Sequence, residues 1–168
     1  MQNAVVSLPM SLSRGPAGGC VRETADCPHA WAPKLDPDRQ FVEMLDAYRG
    51  SGGVARAEEV LNQFRRRDGL DTSMLARWIV DRDVICFDWQ SQPWLPIFQF
   101  DRLHLSPNAS LRPILLELTC VLTQWETAVW FARPNQWLGN RSPVDAWQRD
   151  LSAVVDAARA DRFVANGG

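Results

Sequence analysis

Hydrophobic residues recur every three or four positions in three segments of the first half, which predicts three amphipathic helices. The first covers residues 37–48 and ends at a glycine-rich stretch. The second runs from Val54 to about Arg67, and the third follows Asp71, a favourable N-cap. Their apolar faces are formed by Phe41, Met44, Leu45 and Tyr48, then by Val54, Ala57, Val60, Leu61 and Phe64, and then by Leu75, Trp78 and Ile79.

The pattern changes after Asp83, where β-branched and aromatic residues predominate. The stretch QSQP interrupts them and favours a turn, so the sequence predicts two short strands in a hairpin. Pro93 and Pro96 indicate that the second strand lies at an edge, because proline has no N–H to donate to a neighbouring strand. The two runs comprise Val84, Ile85, Phe87 and Trp89, and then Trp94, Leu95, Ile97 and Phe98.

Helical periodicity returns in the second half and predicts four more helices, over about 110–122, 123–132, 142–149 and 150–164. Thr123 and Glu126 have the spacing of a capping box, and Pro134 ends that helix. Ser142 followed by Pro143 is typical of a helix start. In the last helix Leu151, Val154, Val155, Ala158 and Arg162 share one face.

These elements predict a mainly α fold with three parts. Residues 1–35 show no periodicity and are rich in Pro, Gly and Ser, so we expect a disordered tail. Residues 36–101 have three helices followed by a hairpin, the order of a winged helix-turn-helix, here in a degenerate form. Residues 102–168 form a bundle of about four helices.

The composition limits the classes of function that the chain can have. The chain has 168 residues, 46% of them hydrophobic, and a formal net charge of −2, so no overall basic field attracts nucleic acid or anionic lipid. No apolar run reaches the length of about 18 residues that a membrane span requires, and we expect no membrane association. Nothing in the cysteine pattern predicts a disulfide framework, which favours a cytoplasmic location.

Candidate catalytic and metal-binding groups are few. Cys20, Cys27 and His29 lack a fourth ligand and match no strong zinc spacing. The other histidine, His104, has no nucleophile pattern around it, and no glycine-rich phosphate loop is present. We therefore expect no enzymatic activity, no metal and no cofactor. Cys86 and Cys120 lie in apolar runs and are predicted to be small core residues.

The segment from Trp130 to Trp147, WFARPNQWLGNRSPVDAW, contains three tryptophans although much of it is predicted to be a loop. Asn135 can hydrogen-bond the backbone that Pro134 frees, and Gly139 permits a positive φ. We expect Trp137 and Leu138 to point inward and close the end of the bundle core.

The same segment resembles the signature of the Xre/MbcA/ParS-like antitoxin toxin-binding domain. The matching positions are Trp130, Pro134, Asn135, Leu138, Gly139, Ser142 and Pro143, and the earlier stretch WLPIFQFD resembles the segment that leads into that domain. The resemblance covers about Trp94 to the C-terminus. Two residues depart from it, since Phe131 stands where leucine is usual and Asn140 where glycine is common.

The resemblance implies an antitoxin of a type II toxin–antitoxin system that binds a RES-domain, NAD-consuming toxin and obstructs its NAD pocket. The residues expected to contact the toxin are Arg159, Arg162, Phe163 and Val164, and a truncation after about Ala158 is expected to keep the fold while abolishing neutralisation. Trp130, Asn135, Trp137, Leu138 and Gly139 would support the domain without touching the toxin. The alternative to a toxin-contacting last helix is an ordinary amphipathic helix with solvated arginines and a buried Phe163. Members of the family commonly dimerise, so a homodimer is also expected.

Two other functions stay open. Arg65, Arg66, Arg67 and Arg77 are candidates for phosphate contacts in a winged-helix regulator that binds operator DNA and uses the bundle only to dimerise. Acidic residues in the same region balance these arginines, so a solvated surface is the alternative. Trp78, Trp89, Trp94 and Trp125 are predicted to be core residues and not base-stacking groups. The third hypothesis is an adaptor whose bundle binds another kind of protein.

Overall fold

The structure, a computed structural model, describes residues 36–65, 72–101 and 106–167; the predicted tail, residues 1–35, lies outside this range. The described residues are mainly helical, with seven α-helices and one three-stranded antiparallel sheet, which confirms the predicted mainly α fold with a hairpin. The elements are α1 Pro37–Tyr48, β1 Val54–Arg56, α2 Ala57–Arg65, α3 Thr72–Val80, β2 Phe87–Trp89, β3 Gln92–Pro96, α4 Arg112–Leu118, α5 Gln124–Ala132, α6 Pro143–Ala146 and α7 Leu151–Ala165.

The first strand was not predicted. Residues Val54–Arg56, which were predicted to belong to the second helix, form β1 and pair with β3, Val54 opposite Pro96 and Ala55 opposite Leu95. The helix therefore begins at Ala57, where Glu58 and Glu59 complement the positive end of its dipole. A three-residue apolar segment fits a strand as well as a helical turn, and only the distant partner strand decides between them.

The predicted edge position of β3 is wrong, because β3 lies between β1 and β2. Of its residues only Trp94 has a partner on both sides, Arg56 and Phe87. Pro93 is paired with β2 alone and Pro96 with β1 alone. Each proline thus occupies a part of the strand that has one neighbour, which is where a missing N–H is tolerated.

The larger hydrophobic core joins α1 to the helices of the second half. Phe41, Met44 and Tyr48 of α1 are buried together with residues of α4, α5 and α7. The Tyr48 hydroxyl donates a hydrogen bond of 2.6 Å to the carbonyl oxygen of Ala128 in α5. Helix α1 is therefore part of the packing of the C-terminal bundle.

A smaller core lies under α2, α3 and the sheet, and comprises Ala57, Val60, Phe64, Leu75, Val84, Leu95 and Phe100. Gln99 lies beside it in the stretch WLPIFQFD and is buried. Its side-chain amide accepts from the backbone N–H of Ile85 at 2.6 Å and donates to the Ile85 carbonyl at 2.9 Å. Both polar atoms are satisfied, so burial of this amide carries no desolvation penalty from an unpaired group.

The helix-start signals of the second half are confirmed in part. Thr123 and Glu126 form the reciprocal capping box at α5, and Pro143 opens α6. Helix α4 is shorter than predicted at both ends: a 3-10 turn over residues 109–111, capped by Asn108, precedes it, and the helix ends at Leu118 instead of continuing to Leu122. Cys86 is half-buried and Cys120 is exposed, so the prediction that Cys120 is a core residue is wrong. Cys120 follows the end of α4 in a turn, where the helical stripe no longer applies.

The tryptophans assigned to the core from sequence are partly buried. Trp89, Trp94 and Trp125 pack against the larger core and Trp78 against the smaller one. Phe41 stacks on Trp89 with ring centroids 4.5 Å apart, and Trp89 stacks on Trp125 at 5.6 Å. These rings are engaged with one another, which supports their structural role.

Candidate partner-binding site

The loop between α5 and α6 is closed by its own hydrogen bonds. The backbone N–H of Asn135 donates to the Arg141 carbonyl at 3.0 Å, and the N–H of Asn140 donates back to the Asn135 carbonyl at 3.0 Å. Gly139 and Asn140 have φ values of 64° and 62°, in the left-handed region. Asparagine enters this region at lower cost than other residues with a side chain, which explains how Asn140 replaces the common glycine.

Asp161 of α7 holds this loop in place, a role that was not predicted from the sequence. One oxygen of its carboxylate accepts from Trp130 Nε1 and from Asn135 Nδ2, both at 2.7 Å, and the other accepts from Trp137 Nε1 at 2.9 Å. Charge-assisted hydrogen bonds of this kind are roughly twice as strong as neutral ones. Two residues of the signature, Trp130 and Asn135, and the adjacent Trp137 therefore converge on a single acidic group.

A sequence signal for Asp161 existed. It follows the buried positions Val154, Ala157 and Ala158 at helical spacing, so it is an acidic residue on the inward-facing side of α7. A carboxylate in such a position requires donors. The donors lie in a segment more than twenty residues earlier, and no local pattern links the two.

Only one of the two residues expected to close the core does so. Leu138 is buried, whereas Trp137 is 52% exposed, so the expectation that Trp137 points inward is wrong. Gln136–Leu138 form a 3-10 turn, in which consecutive side chains point in directions about 120° apart. Leu138 takes the core position, and the indole of Trp137 lies at the surface with its N–H bound to Asp161.

Two of the expected contact residues are engaged within the chain. Arg159 and Arg162 both form ion pairs with Glu117 of α4, with N···O distances of 3.1 Å and 2.6 Å. Arg159 also pairs with Asp156 at 3.1 Å. The hydrogen bond to Glu117 raises the pKa of the Arg159 guanidinium, so this group stays charged. The two arginines fasten α7 to α4 and keep part of their surface in solvent.

The other two expected contact residues form an exposed apolar tip at the end of α7. Phe163 is 66% exposed and Val164 is 58% exposed. The alternative of a buried Phe163 is therefore wrong. These two consecutive apolar residues are available for contact with a partner.

A cleft of about 420 Å³ lies beside this tip. Val164 and Asp161 line it from α7, Leu118 and Leu122 from the end of α4 and the connection after it, and Arg133 from the end of α5. Its walls are thus apolar with a few charged groups. The apolar tip, the cleft and the loop pinned by Asp161 all lie at the same end of the bundle.

The candidate DNA-binding arginines are not brought together as a free basic surface in the described residues. Arg65 donates to the Thr72 hydroxyl at 2.9 Å, and Arg77 forms an ion pair with Asp81 at 3.4 Å. Arg66 and Arg67 lie outside the described residues. The exposed side of α3 also carries Met74 and Val80, which cannot pair with phosphates.

The described ranges contain no group of three or more His, Cys, Asp or Glu residues placed to hold a metal ion, and no helix in them is long and apolar enough to cross a membrane. Cys20, Cys27, His29 and His104 lie outside these ranges.

Comparison with protein-family models, curated proteins and solved structures finds no match to this chain.

Proposed function

We propose that this chain is the antitoxin of a type II toxin–antitoxin pair, and that it neutralises a RES-type, NAD-consuming toxin by occupying its NAD pocket. The observation that carries the proposal is the exposed pair Phe163 and Val164 at the end of α7. The resemblance of the loop to the antitoxin signature gives the class of partner. Interfaces are commonly anchored by a few apolar or aromatic groups that enter a pocket.

The mechanism is steric and needs no catalytic residue or cofactor. Asp161 fastens α7 to the loop and Glu117 fastens it to α4, so the apolar tip is presented on a rigid stem. A rigid stem loses little conformational entropy on binding, which leaves more of the contact energy as affinity. We place the protein in the cytoplasm, where such a toxin meets NAD, and include a homodimer in the proposal.

The test is an NAD-consumption assay with the RES-domain protein encoded next to this chain. The full chain should inhibit NAD loss at a stoichiometric ratio, and the double variant Phe163→Ala/Val164→Ala should inhibit at least tenfold less well. Val42→Ala is the matched control, because Val42 is an exposed aliphatic residue on α1. Absence of a RES-domain neighbour, or full inhibition by the double variant, contradicts the proposal, and binding of an unrelated protein supports the adaptor hypothesis instead.

A winged-helix DNA-binding regulator is the second candidate. The element order α1, β1, α2, α3, β2, β3, with β3 between the other strands, favours it, and α3 would enter the major groove. A gel shift with the upstream DNA tests it. Binding should weaken steeply with salt and on replacement of Arg65, Arg66 and Arg67 by alanine. No shift at low salt removes this candidate.

A further inference from the structure

Trp137 is the one tryptophan in the described ranges with more than half of its surface exposed. Tryptophan is enriched among the residues that dominate binding energy at protein interfaces. The family resemblance implies a purely supporting role for Trp137. Its position at the surface requires another explanation.

The conformation of Trp137 is fixed before any partner binds. Its indole N–H donates to Asp161 at 2.9 Å, and its backbone N–H donates to the Asn135 side chain at 2.8 Å. The indole is held by one hydrogen bond, on a backbone that a second hydrogen bond fixes, so contact with a partner costs less additional entropy than it would for a freely rotating ring. Trp137 is therefore a preorganised anchor.

Trp137 is linked to the apolar tip through Asp161. Val164 lies three residues after Asp161 on α7, which places it about 4.5 Å further along the same side of the helix. The group that holds Trp137 is thus one turn away from the exposed Val164. A partner that covers the tip of α7 extends over Trp137 if its contact area has the usual size of about 800 Å² per partner.

A positive charge four residues after Trp137, in the same loop, indicates what the partner presents. Arg141 lies in the same closed loop, is exposed, and bonds through Nε to the Leu138 carbonyl at 3.2 Å. No carboxylate among the described residues pairs with it, whereas Arg159 and Arg162 are paired with Glu117 and Asp156. Arg141 is therefore a cation available to a carboxylate of another protein, in a bidentate geometry that guanidinium groups favour.

We propose that Trp137 and Arg141 form a second contact region for the toxin, which presents an apolar depression for the indole and a carboxylate at its rim for the guanidinium. This inference rests on the proposed antitoxin function and deepens it. The antitoxin then holds its partner at the end of α7 and at the loop, and the loop contact lies outside the NAD pocket.

The test is the affinity of the purified full-length chain for the adjacent RES-domain protein, measured by calorimetry. We expect Trp137→Ala and Arg141→Glu each to raise Kd at least tenfold, while Leu116→Ala, a control at an exposed apolar residue of α4, stays within twofold. Trp137→Phe keeps a ring but loses the bond to Asp161, and it should bind much more tightly than Trp137→Ala.

The outcomes separate this inference from the proposed function. If the wild-type chain binds and both Trp137→Ala and Arg141→Glu bind as well as it does, the inference is overturned and the antitoxin function stands. If Phe and Ala at position 137 weaken binding equally and Arg141→Glu has no effect, Trp137 acts only by positioning α7, which also overturns it. If the wild-type chain does not bind, both proposals fail.

Discussion

Trp130 donates its indole N–H to the carboxylate of Asp161 at 2.7 Å, and this bond joins the end of α5 to the last turns of α7. Asn135 and Trp137 donate to the same carboxylate. The loop that resembles the antitoxin signature is thereby attached to the helix whose end carries the exposed apolar tip. The signature residues determine how α7 is held.

Replacement of Asp161 by alanine leaves three N–H donors without their acceptor. We expect a loss of about 2–4 kcal/mol in the free energy of unfolding, since bonds to charged groups contribute about 1.5–3 kcal/mol each and are not additive. Urea denaturation followed by tryptophan fluorescence measures this. Asp156→Ala is the control on the same helix, because its exposed ion pair with Arg159 contributes at most about 1 kcal/mol. Equal losses for the two variants would contradict the role of Asp161.

The position of Asp161 determines which truncation can test the role of the apolar tip. A chain that ends after Ala158 loses Asp161 together with the tip, so we now expect it to be destabilised, contrary to the expectation from sequence. A chain that ends after Arg162 keeps Asp161 and the ion pair with Glu117 and loses only the tip. We expect this variant to unfold within about 1 kcal/mol of the full chain and to fail to neutralise the toxin in the NAD assay.

Tyr48 links α1 to α5 and provides a probe of the larger core, because it is the single tyrosine of the chain. Tyr48→Phe should cost about 1–2 kcal/mol at neutral pH, since the Ala128 carbonyl loses its buried donor. Burial raises the pKa of the Tyr48 phenol well above its usual value of 10.0. The stabilising contribution of the neutral phenol is complete below pH 10 and is lost as the pH rises toward the folded-state pKa.

The absorbance of the phenolate at alkaline pH should therefore appear together with unfolding. Denaturation curves between neutral pH and strongly alkaline pH, with Tyr48→Phe as the reference, measure the difference. An ordinary tyrosine titration in a chain that remains folded would show that the hydroxyl is accessible and would contradict its burial.

The composition of the larger core allows us to predict which fragments of the chain fold. Residues 102–168 alone lack Phe41, Met44 and Tyr48, which α1 contributes to the bundle core. We expect this fragment to lack cooperative thermal unfolding, whereas residues 36–168 should unfold cooperatively when monitored by circular dichroism. A stable fragment 102–168 would show that the bundle does not need α1.

The sequence predicted most helices of the second half because their starts are local events. Thr123 with Glu126, and Ser142 before Pro143, act within one turn and can be recognised without knowledge of the fold. Strand β1 and the carboxylate of Asp161 were missed for the opposite reason. Val54 is fixed by pairing with Pro96, and Asp161 by donors from residues 130–137, so both depend on contacts between distant segments.

The candidate site was predicted in part. Phe163 and Val164 lie at the surface as expected, whereas the outward position of Trp137 was not anticipated from its neighbour Leu138. In the sequence, a tryptophan that is buried and a tryptophan that one hydrogen bond holds at the surface look the same. The residue type alone therefore could not predict that Trp137 is half-exposed.

The separation of the hydrophobic residues into two clusters has a consequence for amide hydrogen exchange. The smaller cluster packs α2 and α3 against the sheet, and its region is joined to the rest of the molecule by the hydrogen bonds of Gln99 with Ile85 and of Cys86 with Gln124 and by the ion pair of Asp83 with Arg112. Its amides should exchange with deuterium through a sub-global opening that leaves α4, α5 and α7 protected. The end of the bundle that carries Trp137 and Phe163 would then stay ordered while α2 and α3 open and close.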